Sequence, residues 1–206
     1  MTPQSILDLL DAKLDHPDRP ANTAARGDGD LDGRIIPSGA KLNQAAVLAP
    51  LILHDGPPRF LFTVRAAHLT KHAGQISFPG GRREPGETLA QTALRETQEE
   101  IGIGPEFIDI LGCFDPYETV TAYQVTPFVG VVKPGYTVTP DHQEVSAVFE
   151  TPFDFLMNAA NHERHEMEFR GKMRRFWAMP YREHYIWGAT AGMLKALHDR
   201  LFGDMQ

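Results

Sequence analysis

The sequence predicts an α/β protein in which one sheet is covered on both faces by a small number of helices. Apolar runs of strand length, rich in Ile, Val and Phe, are mixed with only a few stretches of helical periodicity, and this mixture favours a layered architecture. The chain has 206 residues, which suits one domain with short extensions. We expect residues 1–34 to form an N-terminal helix and a flexible linker, and residues 35–206 to form the main domain.

The composition excludes several classes of protein. A net charge of −7 leaves no broad basic surface for nucleic acid. No apolar run approaches the roughly 20 residues of a membrane-spanning helix, and the first residues lack the basic and apolar regions of a secretory signal. The single cysteine, Cys113, excludes an internal disulfide and fits a reducing compartment. We therefore expect a cytoplasmic protein with no nucleic-acid or membrane partner, and a homodimer stays open.

The first 33 residues contain one predicted helix and one predicted loop. Apolar residues recur at helical spacing through residues 5–14, so we expect an amphipathic helix with Ser5 as its cap. Residues 16–33 are rich in Pro, Asp, Gly and Asn, which is typical of a linker. The Asp-x-Asp-x-Asp-Gly run from Asp28 resembles the start of a calcium loop, but Gly39 stands where a glutamate ligand is needed. We interpret this run as a solvated loop, and we expect a functional site to work without it.

The later elements are mainly strands. Strand-like composition occurs at residues 45–53, 59–65, 75–78, 107–114, 125–132 and 145–150. A short helical turn is predicted at residues 152–157, a hairpin at 168–176 and a closing helix at 189–201.

Two further sequence patterns suggest a binding site, but each also has an explanation without function. An H-x3-H pair begins at His68 and could bind zinc on a helix, but no third ligand follows it. Tyrosines and threonines alternate at Tyr117, Thr119, Thr121 and Tyr123. That alternation suits either the mouth of a pocket or an ordinary strand surface.

One loop and the helix after it contain the densest set of charged residues. Glycines and Pro85 predict a loop over residues 80–86. Good helix formers from Thr88 onward predict a helix of about three turns, and Gly102 is a suitable end for it.

Three carboxylates lie close together on this predicted helix. Glu96 and Glu100 are i, i+4 neighbours and Glu99 lies beside both, so we expect all three on one side, away from the apolar stripe. Their repulsion costs roughly a few tenths of a kcal/mol per pair. A hard divalent cation would reverse that sign, because Mg²⁺ binds carboxylate oxygens and bridges to phosphates. The alternative is a solvated acidic face in which Arg95 pairs with Glu99.

The spacing of these residues resembles the signature of the Nudix hydrolase family, G-x5-E-x7-R-E-U-x-E-E-x-G-U, with U a bulky apolar residue. Eight residues match it at fixed spacing: Gly81, Glu87, Arg95, Glu96, Glu99, Glu100, Gly102 and Ile103. Thr97 departs at the first U position, and we expect weaker packing there without loss of chemistry. By this resemblance Glu87 and Arg95 would pair and lock the loop onto the helix.

The resemblance implies a fold and a metal site. The fold would be the Nudix-like α/β/α sandwich with a mixed central sheet, formed by residues 35–206. Glu96, Glu99 and Glu100 would bind Mg²⁺ or Mn²⁺ and would be the catalytic residues. A backbone carbonyl near Gly80 or Gly81 would complete the coordination.

A second stretch, just upstream, resembles the coenzyme A pyrophosphatase subfamily, whose pattern is roughly L-L-T-x-R-S/A-x3-R-x3-G-x3-F-P-G-G. Nine residues match it: Leu61, Thr63, Arg65, Ala66, Gly74, Phe78, Pro79, Gly80 and Gly81. Thr70 stands where a second arginine is expected, and Lys71 follows it. The resemblance implies that Arg65, Lys71, Gly80 and Gly81 contact the substrate.

Together the two stretches imply metal-dependent hydrolysis of the diphosphate linkage of coenzyme A or its derivatives, giving 3′,5′-ADP and 4′-phosphopantetheine. The metal would polarise phosphoryl oxygens and lower the pKa of a bound water. Glu96, or an outside carboxylate such as Glu144, would accept the proton. The alternative is a Nudix hydrolase of ADP-ribose, a dinucleotide or another nucleoside diphosphate derivative. A catalytically silent nucleotide-binding module is disfavoured, because no signature glutamate is lost.

Overall fold

The structure is a computed structural model that describes residues 1–18, 26–33, 40–54, 56–69, 73–169 and 171–203. The helices in these ranges are α1 (Pro3–Lys13), α2 (Leu89–Ile101), α3 (Phe153–Leu156) and α4 (Ala189–Phe202). The first six strands are β1 (Arg26–Gly27), β2 (Asn43–Ile52), β3 (Arg59–Arg65), β4 (Ile76–Ser77), β5 (Gly80–Arg82) and β6 (Ile108–Cys113). The other six are β7 (Tyr117–Glu118), β8 (Tyr123–Val132), β9 (Val145–Pro152), β10 (Glu163–Phe169), β11 (Lys172–Tyr181) and β12 (His184–Trp187). None of the described helices is both long and apolar enough to cross a membrane.

A mixed sheet of nine strands occupies the centre of the described structure. Its order is β1-β7-β8-β2-β3-β4, while β5 pairs with β2, β6 with β8 and β9 with β3. The central pair, β2 and β8, is parallel along its full length, and β2 pairs antiparallel with both β3 and β5. A separate antiparallel sheet has the order β10-β11-β12.

Alternating side chains of β2 serve two hydrophobic cores, because successive residues of a strand point to opposite faces. Ala49 and Leu51 belong to the core that α1 and α4 cover. Leu48 and Ile52 belong to the core that α2 covers. The predicted α/β architecture with a mixed central sheet is therefore confirmed.

Most predicted elements are present, but the four short strands β1, β5, β7 and β12 were missed. The six predicted strands correspond to β2, β3, β4, β6, β8 and β9, and the predicted helical turn, hairpin and closing helix correspond to α3, β10–β11 and α4. The prediction of a loop throughout residues 80–86 is wrong at its start, since β5 pairs with β2. The strands β7 and β12 are too short to give a composition signal, and each is held by pairing with a longer neighbouring strand, β8 or β11.

The N-terminal helix is present where it was predicted, but its cap is different. Thr2 is the N-cap, and its Oγ1 accepts a hydrogen bond from the backbone N–H of Ser5 at 3.2 Å. Ile6 and Leu10 are fully buried in the core beside α4. The helix is thus part of the main core. The predicted boundary at residue 34 lies outside the described residues and stays a prediction.

The interpretation of the segment from Asp28 as a solvated loop is wrong. Three aspartates accept hydrogen bonds from three different side chains: Asp28 from Tyr117 at 3.0 Å, Asp30 from Arg26 at 2.8 Å and Asp32 from Arg175 at 2.7 Å. Because these carboxylates face separate partners, they do not surround a common cation. Two of them fix residues 26–33 to distant parts of the chain, at Tyr117 and at Arg175.

Candidate active site

The helix α2 is held at both ends by local signals in the sequence. Thr88 and Gln91 form a capping box, in which each side chain accepts a hydrogen bond from the backbone N–H of the other residue. Gly102 ends the helix in the left-handed region with φ 74°, a conformation that glycine adopts without steric cost. These caps fix where the helix begins and ends, and therefore which turns of the helix carry the glutamates.

The expected pairing of Glu87 with Arg95 is present. Nε of Arg95 donates to Oε1 of Glu87 at 2.7 Å, and Nη2 donates to Oε2 at 3.3 Å. These bonds, with further donation from the backbone of Glu84 and from the Thr92 hydroxyl, lower the pKa of Glu87 to about 2. The pair connects the loop before α2 to the second turn of the helix.

Arg95 also joins two of the three signature glutamates. Its Nη1 donates to Glu96 at 3.0 Å and to Glu99 at 2.8 Å. Its Nη2 contacts the carbonyl of Arg82 in β5 at 3.2 Å. Within the described ranges, no three His, Cys, Asp or Glu side chains are gathered closely enough to hold a metal as they stand. The guanidinium occupies the space between Glu96 and Glu99.

The three glutamates are neighbours on the helix surface, since one nitrogen of Arg95 bonds both Glu96 and Glu99 and Glu96 repels Glu100, but they differ in burial. Glu100 is buried, with 8% of its surface exposed, whereas the side chain of Glu99 is 59% exposed. Thr97 faces the core and is fully buried, and its hydroxyl donates to the carbonyl of Ala93 at 2.7 Å. The packing of α2 therefore gives these neighbouring carboxylates different degrees of burial, which their spacing alone did not predict.

The Glu100 carboxyl group has an unusual environment. Its Oε2 is buried without a hydrogen-bond partner among the described residues. Burial, followed by repulsion from Glu96 and Glu144, raises the pKa of Glu100 to about 8, although the backbone N–H of Gly80 opposes this shift. Burial also raises the pKa of Glu96, and repulsion from Glu99 and Glu144 adds to the rise.

The two glycines at the start of β5 lie against this group. A Cβ atom on Gly81 would be 2.4 Å from the Glu96 carboxylate, and one on Gly80 would be 2.4 Å from the carbonyl oxygen of Ala46. Any other residue at either position would have to displace its neighbour. Strand β5 thus brings the second motif of the sequence into contact with the first.

Arg65 and Glu144 complete the set of charges. Nη1 of Arg65 lies 3.8 Å from a carboxylate oxygen of Glu144, and Glu144 is close enough to Glu96 and Glu100 to raise the pKa of both. Asp141, three residues before Glu144, accepts a hydrogen bond from the backbone N–H of Gln143 at 2.9 Å. The structure therefore brings Glu144, the outside carboxylate considered as a proton acceptor, beside the signature glutamates.

The donor set fits a divalent cation. Carboxylates that repel one another, one of which has an unsatisfied buried oxygen, form the kind of site that Mg²⁺ or Mn²⁺ would stabilise. Glu96 and Glu100 meet this description, and Glu144 adds a third negative charge that repels both. Glu99 would reach the same ion only after leaving Arg95, and Lys71 lies outside the described residues.

A cavity of about 460 Å³ opens beyond the β3–β4 loop and was not predicted as a site. The alternating residues Tyr117, Thr119 and Thr121 line it, which agrees with a pocket mouth, while Tyr123 does not contribute. Trp187, at the end of β12, is also part of its wall.

Comparisons with known proteins agree on one family. The family model described as NUDIX domain matches residues 42–171. The protein named Uncharacterized Nudix hydrolase NudL from Enterobacter sp. (strain 638) is 39% identical over 155 residues, which cover 75% of this chain and 80% of the relative. The protein of the same name from Cronobacter sakazakii is 41% identical over the same shares.

Two solved structures show weaker likeness. An Ap4A hydrolase from C. elegans, crystallised as a binary complex, is 25% identical with a TM-score of 0.47, over 53% of this chain and 80% of that chain. A MutT/nudix family protein from Enterococcus faecalis is 17% identical with a TM-score of 0.49, over 82% of this chain and 65% of that chain.

Proposed function

The chain belongs to the Nudix family and is a pyrophosphohydrolase of nucleoside diphosphate derivatives, and from this premise we propose that its substrate is coenzyme A or an acyl derivative. Hydrolysis of the diphosphate linkage would give 3′,5′-ADP and 4′-phosphopantetheine. The alternative within the same family is hydrolysis of ADP-ribose, a dinucleotide or another nucleoside diphosphate derivative.

The observation that supports this proposal most is the junction of the two sequence motifs. The upstream motif ends in β5, where Gly81 lies against Glu96 and Gly80 hydrogen-bonds Glu100. Its arginine, Arg65, lies beside Glu144. A motif that resembles the coenzyme A subfamily thus borders the carboxylates of the Nudix signature, as a substrate-binding wall requires.

The metal would be held by Glu96 and Glu100, and by Glu99 once Arg95 releases it. Nudix hydrolases generally use divalent ions such as Mg²⁺ or Mn²⁺, and a bound ion would supply Lewis acidity toward the phosphoryl oxygens. The residues of this chain would supply the remaining functions.

Those functions are charge compensation and proton transfer. The Arg65 guanidinium can donate to a phosphate oxygen with two N–H groups, which a lysine cannot do in the same geometry. We assign the proton acceptor to Glu144, because Glu96 already accepts from Arg95, whereas the Glu144 side chain is 53% exposed. The oxygen of a water molecule bonds to phosphorus, and a proton of that water passes to Glu144. The bond between phosphorus and the bridging oxygen breaks, and its electron pair stays on the oxygen of the leaving phosphate.

The test compares kcat/KM for coenzyme A, dephospho-coenzyme A and ADP-ribose. Coenzyme A has a 3′-phosphate that the other two lack, and an ionic hydrogen bond to it contributes roughly 1.5–3 kcal/mol. We expect a preference of about ten- to hundredfold for coenzyme A, reduced in Lys71→Ala. Lys133→Ala is the matched control, since Lys133 pairs with Asp109 at the far end of β8. Turnover of ADP-ribose tenfold better than coenzyme A would favour the alternative.

A further inference from the structure

The cavity beyond the β3–β4 loop is large enough for part of a small molecule. Its volume of about 460 Å³ lies within the range of ligand pockets. Its walls come from the 26–33 segment, residues 73–75, residues 117–121, the hairpin β10–β11 and the start of α4. None of these residues belongs to the Nudix signature.

Most polar side chains of this cavity are already paired within the protein. The Asp28 carboxylate accepts from the Tyr117 hydroxyl at 3.0 Å and from the backbone of Val120 at 2.8 Å. The hydroxyls of Thr119 and Thr121 are 2.9 Å apart and bond to each other. These groups have less capacity left for a guest, because their hydrogen bonds are satisfied.

What the cavity offers is mainly apolar surface. Val120 and Met167 line it, and both are unusually exposed for apolar side chains, at 36% and 40%. Phe176 and Trp187 add an aromatic wall in which the ring centroids are 5.3 Å apart. A flexible methionine beside aromatic rings suits a guest of variable shape and low polarity.

The cavity is connected to the charged site through Arg65. The backbone N–H of Arg65 donates to the carbonyl of Gln75 at 2.9 Å, and the N–H of Gly74 donates to the carbonyl of Arg65 at 3.0 Å. Gly74 and Gln75 line the cavity, while the Arg65 side chain lies beside Glu144. The strands β3 and β4 therefore connect the two sites. The cavity lies at the end of the loop that joins them, and the proposed diphosphate site lies at the Arg65 side chain of β3.

We propose that this cavity binds the non-nucleotide arm of the substrate, and that it selects thioesters carrying an apolar acyl group over the free thiol. The proposal rests on the proposed function, because it places the diphosphate of the same substrate at Arg65. An elongated molecule would occupy both places, with its charged centre at the carboxylates and its apolar end between Met167 and Trp187.

The first experiment measures binding without turnover. Both tryptophans of the chain, Trp177 and Trp187, line the cavity, so an acyl chain that enters it changes intrinsic fluorescence. In chelator, octanoyl-coenzyme A and octanoyl-pantetheine are titrated against coenzyme A. We expect both octanoyl compounds to shift the emission, and octanoyl-coenzyme A to bind at least about tenfold more tightly than coenzyme A.

Two methionine variants give a matched comparison. Met167→Glu places a charge in the cavity wall and should weaken octanoyl-pantetheine at least about tenfold. Met173→Glu changes a neighbouring methionine that is 57% exposed and is not part of the wall, so its binding should match wild type. Circular dichroism checks that both variants are folded. Equal binding by the two variants, or no emission change with either octanoyl compound, overturns the proposal.

The two proposals fail in different ways. If coenzyme A is not hydrolysed but octanoyl-pantetheine still binds and Met167→Glu weakens it, the cavity stands and the proposed substrate is wrong. If coenzyme A and octanoyl-coenzyme A are hydrolysed with equal kcat/KM and octanoyl-pantetheine does not bind, the proposed substrate stands and the cavity assignment is wrong.

Discussion

Neighbouring glutamates on α2 have very different surroundings. Glu99 is exposed and paired with Arg95, whereas Glu100 is buried with an oxygen that has no described partner. The sequence predicted these residues as a group from their spacing. It could not predict which one is buried, because that depends on the packing of β2 and β5 against the helix.

The burial of Glu100 leads to a prediction that depends on pH. Its pKa is about 8 in the folded protein and 4.5 ordinarily, so between these values the native state holds a proton that the unfolded state releases. Stability without metal therefore falls as pH rises through this range. In chelator, Glu100→Gln should raise the free energy of unfolding by roughly 1–3 kcal/mol at pH 8, and by little at pH 4.5.

Thermal melts across pH 4.5–8 test this, with Glu99→Gln as the exposed control. With Mg²⁺ we expect each variant to lose more than about tenfold in turnover, because each removes a proposed metal ligand. Full turnover by either variant at saturating Mg²⁺ would show that its glutamate does not bind the metal.

At the scale of elements, local signals predicted α2 well and the short strands poorly. The capping residue Thr88 and the terminal Gly102 act within one turn of the chain, so the sequence contains them. Strand β5 has only three residues and exists because it pairs with β2, more than thirty residues earlier. Non-local pairing of this kind leaves no periodic pattern to detect.

The bond between Glu87 and Arg95 links the loop to α2, and its removal should affect both. Glu87→Gln should lower the melting temperature and reduce activity, since a charge-assisted bond is lost. The folded pKa of Glu87 is about 2, below its ordinary 4.5, so this stabilisation is present above pH 4.5 and is lost as pH falls through 2. The melting temperatures of wild type and variant should therefore converge below pH 4.5.

The matched control is Glu84→Gln. Glu84 is an exposed neighbour whose backbone, not its side chain, bonds to Glu87. An equal loss of stability in both variants would show that the Arg95 pairing does not hold the loop.

At the scale of the molecule, the N-terminal helix and the segment at residues 26–33 pack into the main domain, although we expected them to lie outside it. Deleting residues 1–33 would remove Ile6 and Leu10 from the core, together with the ion pairs of Arg26 and Asp32. We expect the truncated protein to melt at a much lower temperature, because burial of each such apolar side chain contributes roughly 1.5–3 kcal/mol.

Calorimetry of the truncated chain checks this, with a deletion of Met1 alone as the control. An unchanged melting temperature would restore the original interpretation of a dispensable extension. The sequence did not indicate the anchoring role, because Asp28 and Asp32 find their partners about 90 and 143 residues away.

The parallel pairing of β2 with β8 has a consequence for biosynthesis. Paired residues such as Gln44 and Gln124 are 80 positions apart, so the ribosome needs on the order of ten seconds to deliver the second strand after the first. Until then β2 can pair only with β3 and β5. The backbone N–H and C=O groups along its other edge stay unpaired and can bond to any exposed strand. We therefore expect the nascent chain to be most prone to wrong strand pairing while the residues between 52 and 132 are being made.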